Sequence, residues 1–127
     1  MRYVDGFVIV VPEGKLPAYR KMAEEAGKVW KKYGALEYVE TIGDDLNPKL
    51  PEGTPPEMVG ITFPKMAGAK PGDTVVFSYI VFKSRQDRDE VNAKVMKDPF
   101  MNAPEQQQMP YDMKRAAYGG FRVIVEA

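Results

Sequence analysis

The sequence of 127 residues predicts an α+β fold of the ferredoxin-like kind: a βαββαβ unit with a four-stranded antiparallel sheet and two helices on one face. Three observations predict it. One segment spaces its apolar residues at helical intervals, a second opens on a helix cap and stops at a proline, and four read as strands. These segments follow one another in the order β, α, β, β, α, β. The length suits a single domain spanning 1–127, enough to bury one core and too short for two.

The first strand is Tyr3 to Val11 (YVDGFVIVV), closed by Pro12 and Gly14. From Leu16 to Tyr33 the apolar residues Leu16, Tyr19, Met22, Ala23, Ala26, Val29, Trp30 and Tyr33 recur at steps of three and four with Lys, Arg and Glu between them, so an amphipathic helix follows. Pro17 is tolerated in its first turn and Gly34 is placed to end it. Leu36 to Ile42 alternates as a second strand and runs into the acidic pair Asp44 and Asp45. Residues 46–72 hold six prolines and four glycines, which predicts a loop with at most one short strand. Thr74 to Lys83 (TVVFSYIVFK) is the clearest strand. Ser84 then caps a second helix, with Asp87 at capping-box spacing, and Pro99 stops that helix at about Asp98. A Gln/Pro-rich passage precedes the last strand, Tyr118 to Glu126 (YGGFRVIVE), in which Gly119 and Gly120 predict a bulge.

Composition removes whole classes of chemistry. The chain has neither cysteine nor histidine, which excludes thiol nucleophiles, disulfides, the usual zinc sites, haem held by His or Cys, and Ser-His triads. Any acid or base is therefore a carboxylate, Tyr, Lys or water. No ligand spacing for a hard cation is evident, so no metal and no cofactor is expected. Acidic and basic residues balance at 18 each, so no global field draws nucleic acid or an anionic membrane. No apolar run is long enough to span a bilayer and no secretory leader is evident, which predicts a cytoplasmic protein.

Both faces of the predicted sheet are apolar. In the first strand Val4, Val8 and Val10 share one side while Phe7, Ile9 and Val11 share the other, and the third strand behaves likewise. Helices cover one face only, so the other predicts an association surface, most simply sheet against sheet in a homodimer.

Three segments resemble a known family: YVDGFVIVV at the start, RDEVNAKVMKDPF at 88–100 and MPYDMKRAAYGGF at 109–121. They are similar to the YbaA-like family of uncharacterised proteins, domain of unknown function 1428. The resemblance spans nearly the whole chain and implies a dimeric α+β barrel built on a ferredoxin-like unit. Against that family the Pro/Gly-rich segment 46–72 is expected to be an extended loop.

Two groups of residues are candidates for a site. If the face carrying Tyr3, Asp5 and Phe7 turns toward the partner subunit, Asp5 meets Tyr38 and Glu40 from the second strand, Ser78 from the third and Arg122 from the fourth. Such a cluster places ionisable groups inside a barrel, able to carry protons or bind a small anion; ordinary ion pairs at strand ends are the competing reading. On the second helix Arg88 and Asn92, with Arg85, Asp89 and Asp98 nearby, either clamp a ligand or bind backbone carbonyls and the Asp44–Asp45 pair. The methionines and Trp30 read as core and interface filling. Three functions follow: a homodimer binding a small molecule in its barrel or inter-subunit cleft, which is favoured; a cofactor-independent enzyme of monooxygenase or isomerase type, by fold analogy; or a structural or protein-binding module.

Overall fold

The structure is a computed structural model that describes residues 1–103 and 110–127. The predicted Gln/Pro-rich passage lies at 104–109, outside the described residues, as does Met109 of the third family-like segment.

The elements follow the expected order: β1 (Tyr3–Val11), α1 (Leu16–Tyr33), β2 (Glu37–Ile42), a short α2 (Phe63–Ala67), β3 (Thr74–Phe82), α3 (Arg85–Met96) and β4 (Ala116–Arg122). The sheet is antiparallel with strand order β2-β3-β1-β4, the order a βαββαβ chain adopts when both βαβ connections cross on the same side. α1 ends where Gly34 takes a left-handed φ of 119°, its N–H bonded back to the carbonyls of Lys31 and Trp30; a side chain there would be strained.

Register sorts the strands into two faces. Tyr3, Asp5, Phe7, Ile9 and Val11 pair across to Phe82, Ile80, Ser78, Val76 and Thr74, and Tyr38 and Glu40 pair to Ile80 and Ser78. Partners directly opposite share a face. This face lies under α1 and α3, so the arrangement in which it turns toward a partner subunit is not the one formed. Tyr3, Phe82 and Ile80 pack with Val29, Val91 and Val95, while Ile9, Val11 and Val76 pack with Tyr19 and Ala23. Strands apolar on both sides give no sign of which side the helices take, so the sequence leaves the choice of face open.

On the opposite face Val4, Gly6 and Val8 run beside Phe121, Gly119 and Ala117 of β4 and Val81, Tyr79 and Phe77 of β3. Phe77 and Phe121 stand exposed there, at 46% and 61%. Val10 and Val75 at the far end are buried, and α2 packs on β1 and β3 with Phe63 edge-on to Phe77 at 6.2 Å between ring centres. The segment 46–72 thus holds a single 3₁₀ turn (Pro56–Met58) and α2 in place of a strand. Thr62 caps α2 by accepting from the Lys65 N–H, and Arg115 ties the segment down through the Gly68 carbonyl (2.9 Å) and Asp73 (2.8 Å).

β4 also differs from expectation. It begins at Ala116 and pairs with β1 without interruption, Gly6 opposite Gly119 and Asp5 opposite Gly120, so there is no bulge. Gly120 instead makes room for a ring: a Cβ on it would lie 2.8 Å from Tyr3 Cε2 and 2.9 Å from Cζ.

Candidate functional site

The helix-facing side of the sheet carries two polar clusters. The first joins Asp5 of β1 to Arg88 and Asn92 of α3. Arg88 Nη1 donates to Asp5 Oδ1 at 3.1 Å, Asn92 Nδ2 to Asp5 Oδ2 at 3.3 Å, and Trp30 Nε1 of α1 to Asn92 Oδ1 at 3.0 Å. The Arg88 guanidinium also lies over the Tyr3 ring, 4.8 Å from its centre, with Nη2 3.4 Å from the Tyr3 hydroxyl. Its Nε is 2.9 Å from Asp89 Oδ1 but buried without an aligned acceptor. Asp5 is buried, and its pKa is raised because the loss of hydration outweighs the Asn92 and Arg88 contacts. The Asp5 carboxylate is thus held by helix side chains, and the cluster fastens α3 to β1 and α1. Arg88 and Asn92 find Asp5 where the sequence suggested backbone carbonyls or the Asp44–Asp45 pair; both of those aspartates are exposed.

The second cluster surrounds Glu40 of β2. Tyr19 of α1 donates to Glu40 Oε2 at 2.7 Å and Tyr38 donates to Oε1 at 3.1 Å. Burial raises the Glu40 pKa above the ordinary range, opposed by hydrogen bonds from Tyr19, Tyr38 and the buried Ser78. The same surroundings push the Tyr19 and Tyr38 hydroxyls well above the tyrosine range, burial first and the neighbouring carboxylate next, so both stay protonated donors. None of the ion pairs among the described residues includes Glu40. Tyr38 reaches this position because α1 has Gly27 beneath it, where a Cβ would come within 2.8 Å of the ring.

Two cavities meet at Glu40. An inner one of about 210 Å³ lies between α1 and the sheet and is walled by Phe7, Tyr19, Trp30, Tyr38 and Tyr111, with Ser78 on its floor. An outer groove of about 800 Å³ runs between α1 and β2, and Tyr19, Tyr38 and Glu40 line both. Two aromatic pairs frame the inner space: Tyr19 edge-on to Tyr111 at 5.9 Å, and Trp30 beside Tyr38 at 6.0 Å. Through Trp30 the two polar clusters are neighbours.

Of the residues singled out from sequence, Tyr38, Glu40 and Ser78 come together, and Asp5, Arg88 and Asn92 come together separately. Arg122 joins neither: it is exposed at the end of β4, in a surface hollow with Arg2 and Arg85. The strand order places β4 at the sheet edge away from β2, with β1 and β3 between them. Sequence reasoning missed Tyr19 and Tyr111 as site residues and read Trp30 as filler. A tyrosine on the apolar stripe of α1 was the available signal, because a buried hydroxyl requires a partner.

No helix among the described residues is long and apolar enough to cross a membrane. Solved structures share the fold at low identity. Rv0793 from Mycobacterium tuberculosis matches at a TM-score of 0.57 and 13% identity over 100% of this chain and 99% of its own. A NIPSNAP domain protein from Burkholderia xenovorans matches at 0.56 and 14% over 98% and 97%. A protein from an uncultured marine organism, described as a dimeric ferredoxin-like protein, matches at 0.53 and 13% over the full length of both chains. Among sequences, the uncharacterized protein YbaA of Escherichia coli K12 and that of Shigella flexneri are each 42% identical over 127 residues, covering 99% of both chains. That mutual coverage means the relatives match this chain in length. The model of the DUF1428 family, described as proteins of unknown function, matches residues 2–113. The chain therefore belongs to the DUF1428 family, together with YbaA.

Proposed function

We propose that this protein is a homodimer of single-domain subunits, each of which binds a small molecule in the cavity beneath α1. The observation that carries this reading is the position of Glu40, a carboxyl without an ionic partner where an aromatic-walled chamber opens into a groove. A mostly apolar pocket with a few convergent polar groups and a perturbed ionisable residue is the usual form of a ligand site. The site residues are Glu40, Tyr38 and Ser78 from the strands and Tyr19 from α1. Asp5, Arg88 and Asn92 support it by fixing Trp30. The favoured location moves from the barrel between subunits to the space inside each one. Dimerisation is supported by the exposed Phe77 and Phe121 on the bare sheet face and by a fold neighbour described as dimeric.

A second reading, a cofactor-independent enzyme, is favoured by the same Glu40. A carboxyl made less acidic by burial is better suited to take and return a proton than an exposed one. Native mass spectrometry of the gently purified protein tests the main reading. The expected spectrum is a dimer with up to one retained small molecule per subunit, the extra mass disappearing in Glu40→Leu. A dimer that stays bare through purification, and takes up neither toluene nor any small polar probe, refutes the pocket.

A further inference from the structure

The charge balance around Glu40 narrows the ligand. Phe7, Tyr19, Trp30, Tyr38 and Tyr111 are among the residues that wall the inner cavity, and the electron-rich faces of such rings attract cations, most strongly when water is excluded. The acidic group at its mouth receives only neutral hydroxyls, from Tyr19, Tyr38 and Ser78, which leaves its negative charge without a counter-charge. The cations along the groove are engaged elsewhere: Arg20 with Glu24 at 3.2 Å, Lys28 with Glu25 at 3.4 Å, and Lys31 with the Leu36 carbonyl at 2.8 Å. Arg122, the cation that an anionic ligand would have needed, lies on the far edge of the sheet.

We infer that the cavity is a receptor for a small organic cation, an alkylammonium or quaternary ammonium group, whose charge is met by Glu40 and by the rings of Trp30, Tyr38, Tyr19, Tyr111 and Phe7. The inference rests on the small-molecule reading above and names its ligand class. Size agrees: a dry cavity of about 150 Å³ holds benzene, so 210 Å³ accepts a trimethylammonium group with a short arm and not a drug-sized molecule. A carboxylate accepts at about four lone-pair positions, so the hydroxyls of Tyr19, Tyr38 and Ser78 still leave Glu40 room to face a cation. The polarity is specific, because an aromatic wall and a carboxylate reject an anion and gain little from a neutral isostere.

The test uses the intact protein and its single tryptophan, Trp30, which lines the cavity and reports occupancy by fluorescence. Choline and tetramethylammonium are titrated against 3,3-dimethylbutan-1-ol, which has the shape of choline with carbon in place of the charged nitrogen. Saturable binding of the cations is expected, with the neutral alcohol at least about tenfold weaker, the size of a desolvated cation–π and ionic contribution. Glu40→Gln is expected to weaken choline by at least about tenfold while leaving the alcohol unchanged. Tyr111→Leu leaves the Glu40 hydrogen bonds in place and is expected to weaken choline several-fold, so the conclusion does not depend on one variant folding. Equal binding of choline and the alcohol, choline affinity unchanged by Glu40→Gln, or absence of cation binding overturns the inference. If toluene still binds in those cases, the pocket stands and only its ligand class is wrong; if toluene also fails, the pocket reading falls with it.

Discussion

Glu40 holds a carboxyl where water is scarce, and the cost of that arrangement depends on pH. Burial raises its pKa in the folded protein above the ordinary glutamate value. The folded chain therefore retains a proton at pH values where the unfolded chain has released it, and stability declines as pH rises from the glutamate range through the raised value. Above that value the full cost is present; below the ordinary value, near 4.3, it vanishes. Tyr19, Tyr38 and Tyr111 stay protonated throughout because their own pKa values are raised, and Asp5, also raised by burial, is common to both proteins compared. Glu40→Gln is therefore expected to melt a few degrees above the unmodified protein at pH 7.5, with the difference closing toward pH 4. Scanning calorimetry without ligand at the two pH values checks this, and a gain of equal size at both values contradicts it. A substitution that stabilises the fold while weakening cation binding marks a residue retained for function. Residue type alone could bring Glu40, Tyr38 and Ser78 forward, since polar side chains in apolar strands are visible in a sequence. Their pairing with Tyr19 and Tyr111 was not visible, because it depends on how α1 lies across the sheet.

At the scale of elements, legibility followed the locality of the signal. β1 and α1 run as their patterns predict, since alternation, helical spacing, Pro17 and Gly34 all act within a few residues of the chain. β4 was placed two residues late and read as bulged, because the reason for Gly120 lies in Tyr3, a residue more than a hundred positions away. α2 was missed because five residues of helix in a Pro/Gly-rich stretch are held by Thr62 and by contact with β1 and β3, not by periodicity. α3 shows how a local device serves the site. Only Val91 and Val95 of this helix are buried, so its apolar anchorage is slight and its ends matter. The Ser84 hydroxyl accepts from the Asp87 N–H at 3.1 Å, and one turn later Arg88 reaches Asp5. Ser84→Ala is expected to cost about 1 kcal/mol, the usual loss for an N-cap. In urea unfolding the midpoint should fall with an unchanged slope, and hydrogen exchange should quicken first in the turn leading to Arg88. A midpoint that does not move would show that tertiary contacts alone hold the start of α3.

Among the described residues, one face of the sheet is left largely uncovered by the helices. Order and composition were enough to read the four-stranded sheet with its two crossing helices, but the parity of the strands was not readable, since both sides of β1 and β3 are apolar. Structure resolves the parity: odd-numbered residues of β1 face the helices, and Val4, Gly6 and Val8 lie on the open side with Phe77 and Phe121. Gly6 contributes by its smallness, because a Cβ there would come within 3.3 Å of the Phe121 ring that lies across it. Phe121 is thereby laid along the sheet, where it adds to a flat apolar surface continuous from β4 to β3. α2 covers only the end near Val10 and Val75, so a facing sheet has access to the remainder. If a second copy occupies that face, a charge at its centre opposes itself across the two-fold axis and loses the burial of both rings. Phe121→Glu is expected to convert a dimer into a monomer by light scattering coupled to size-exclusion chromatography, with the circular dichroism unchanged because the ring is not part of the protomer core. Choline binding to that monomer then separates the two halves of the functional reading, since a site built within one subunit should survive, whereas loss of binding upon dissociation would mean that the partner completes it.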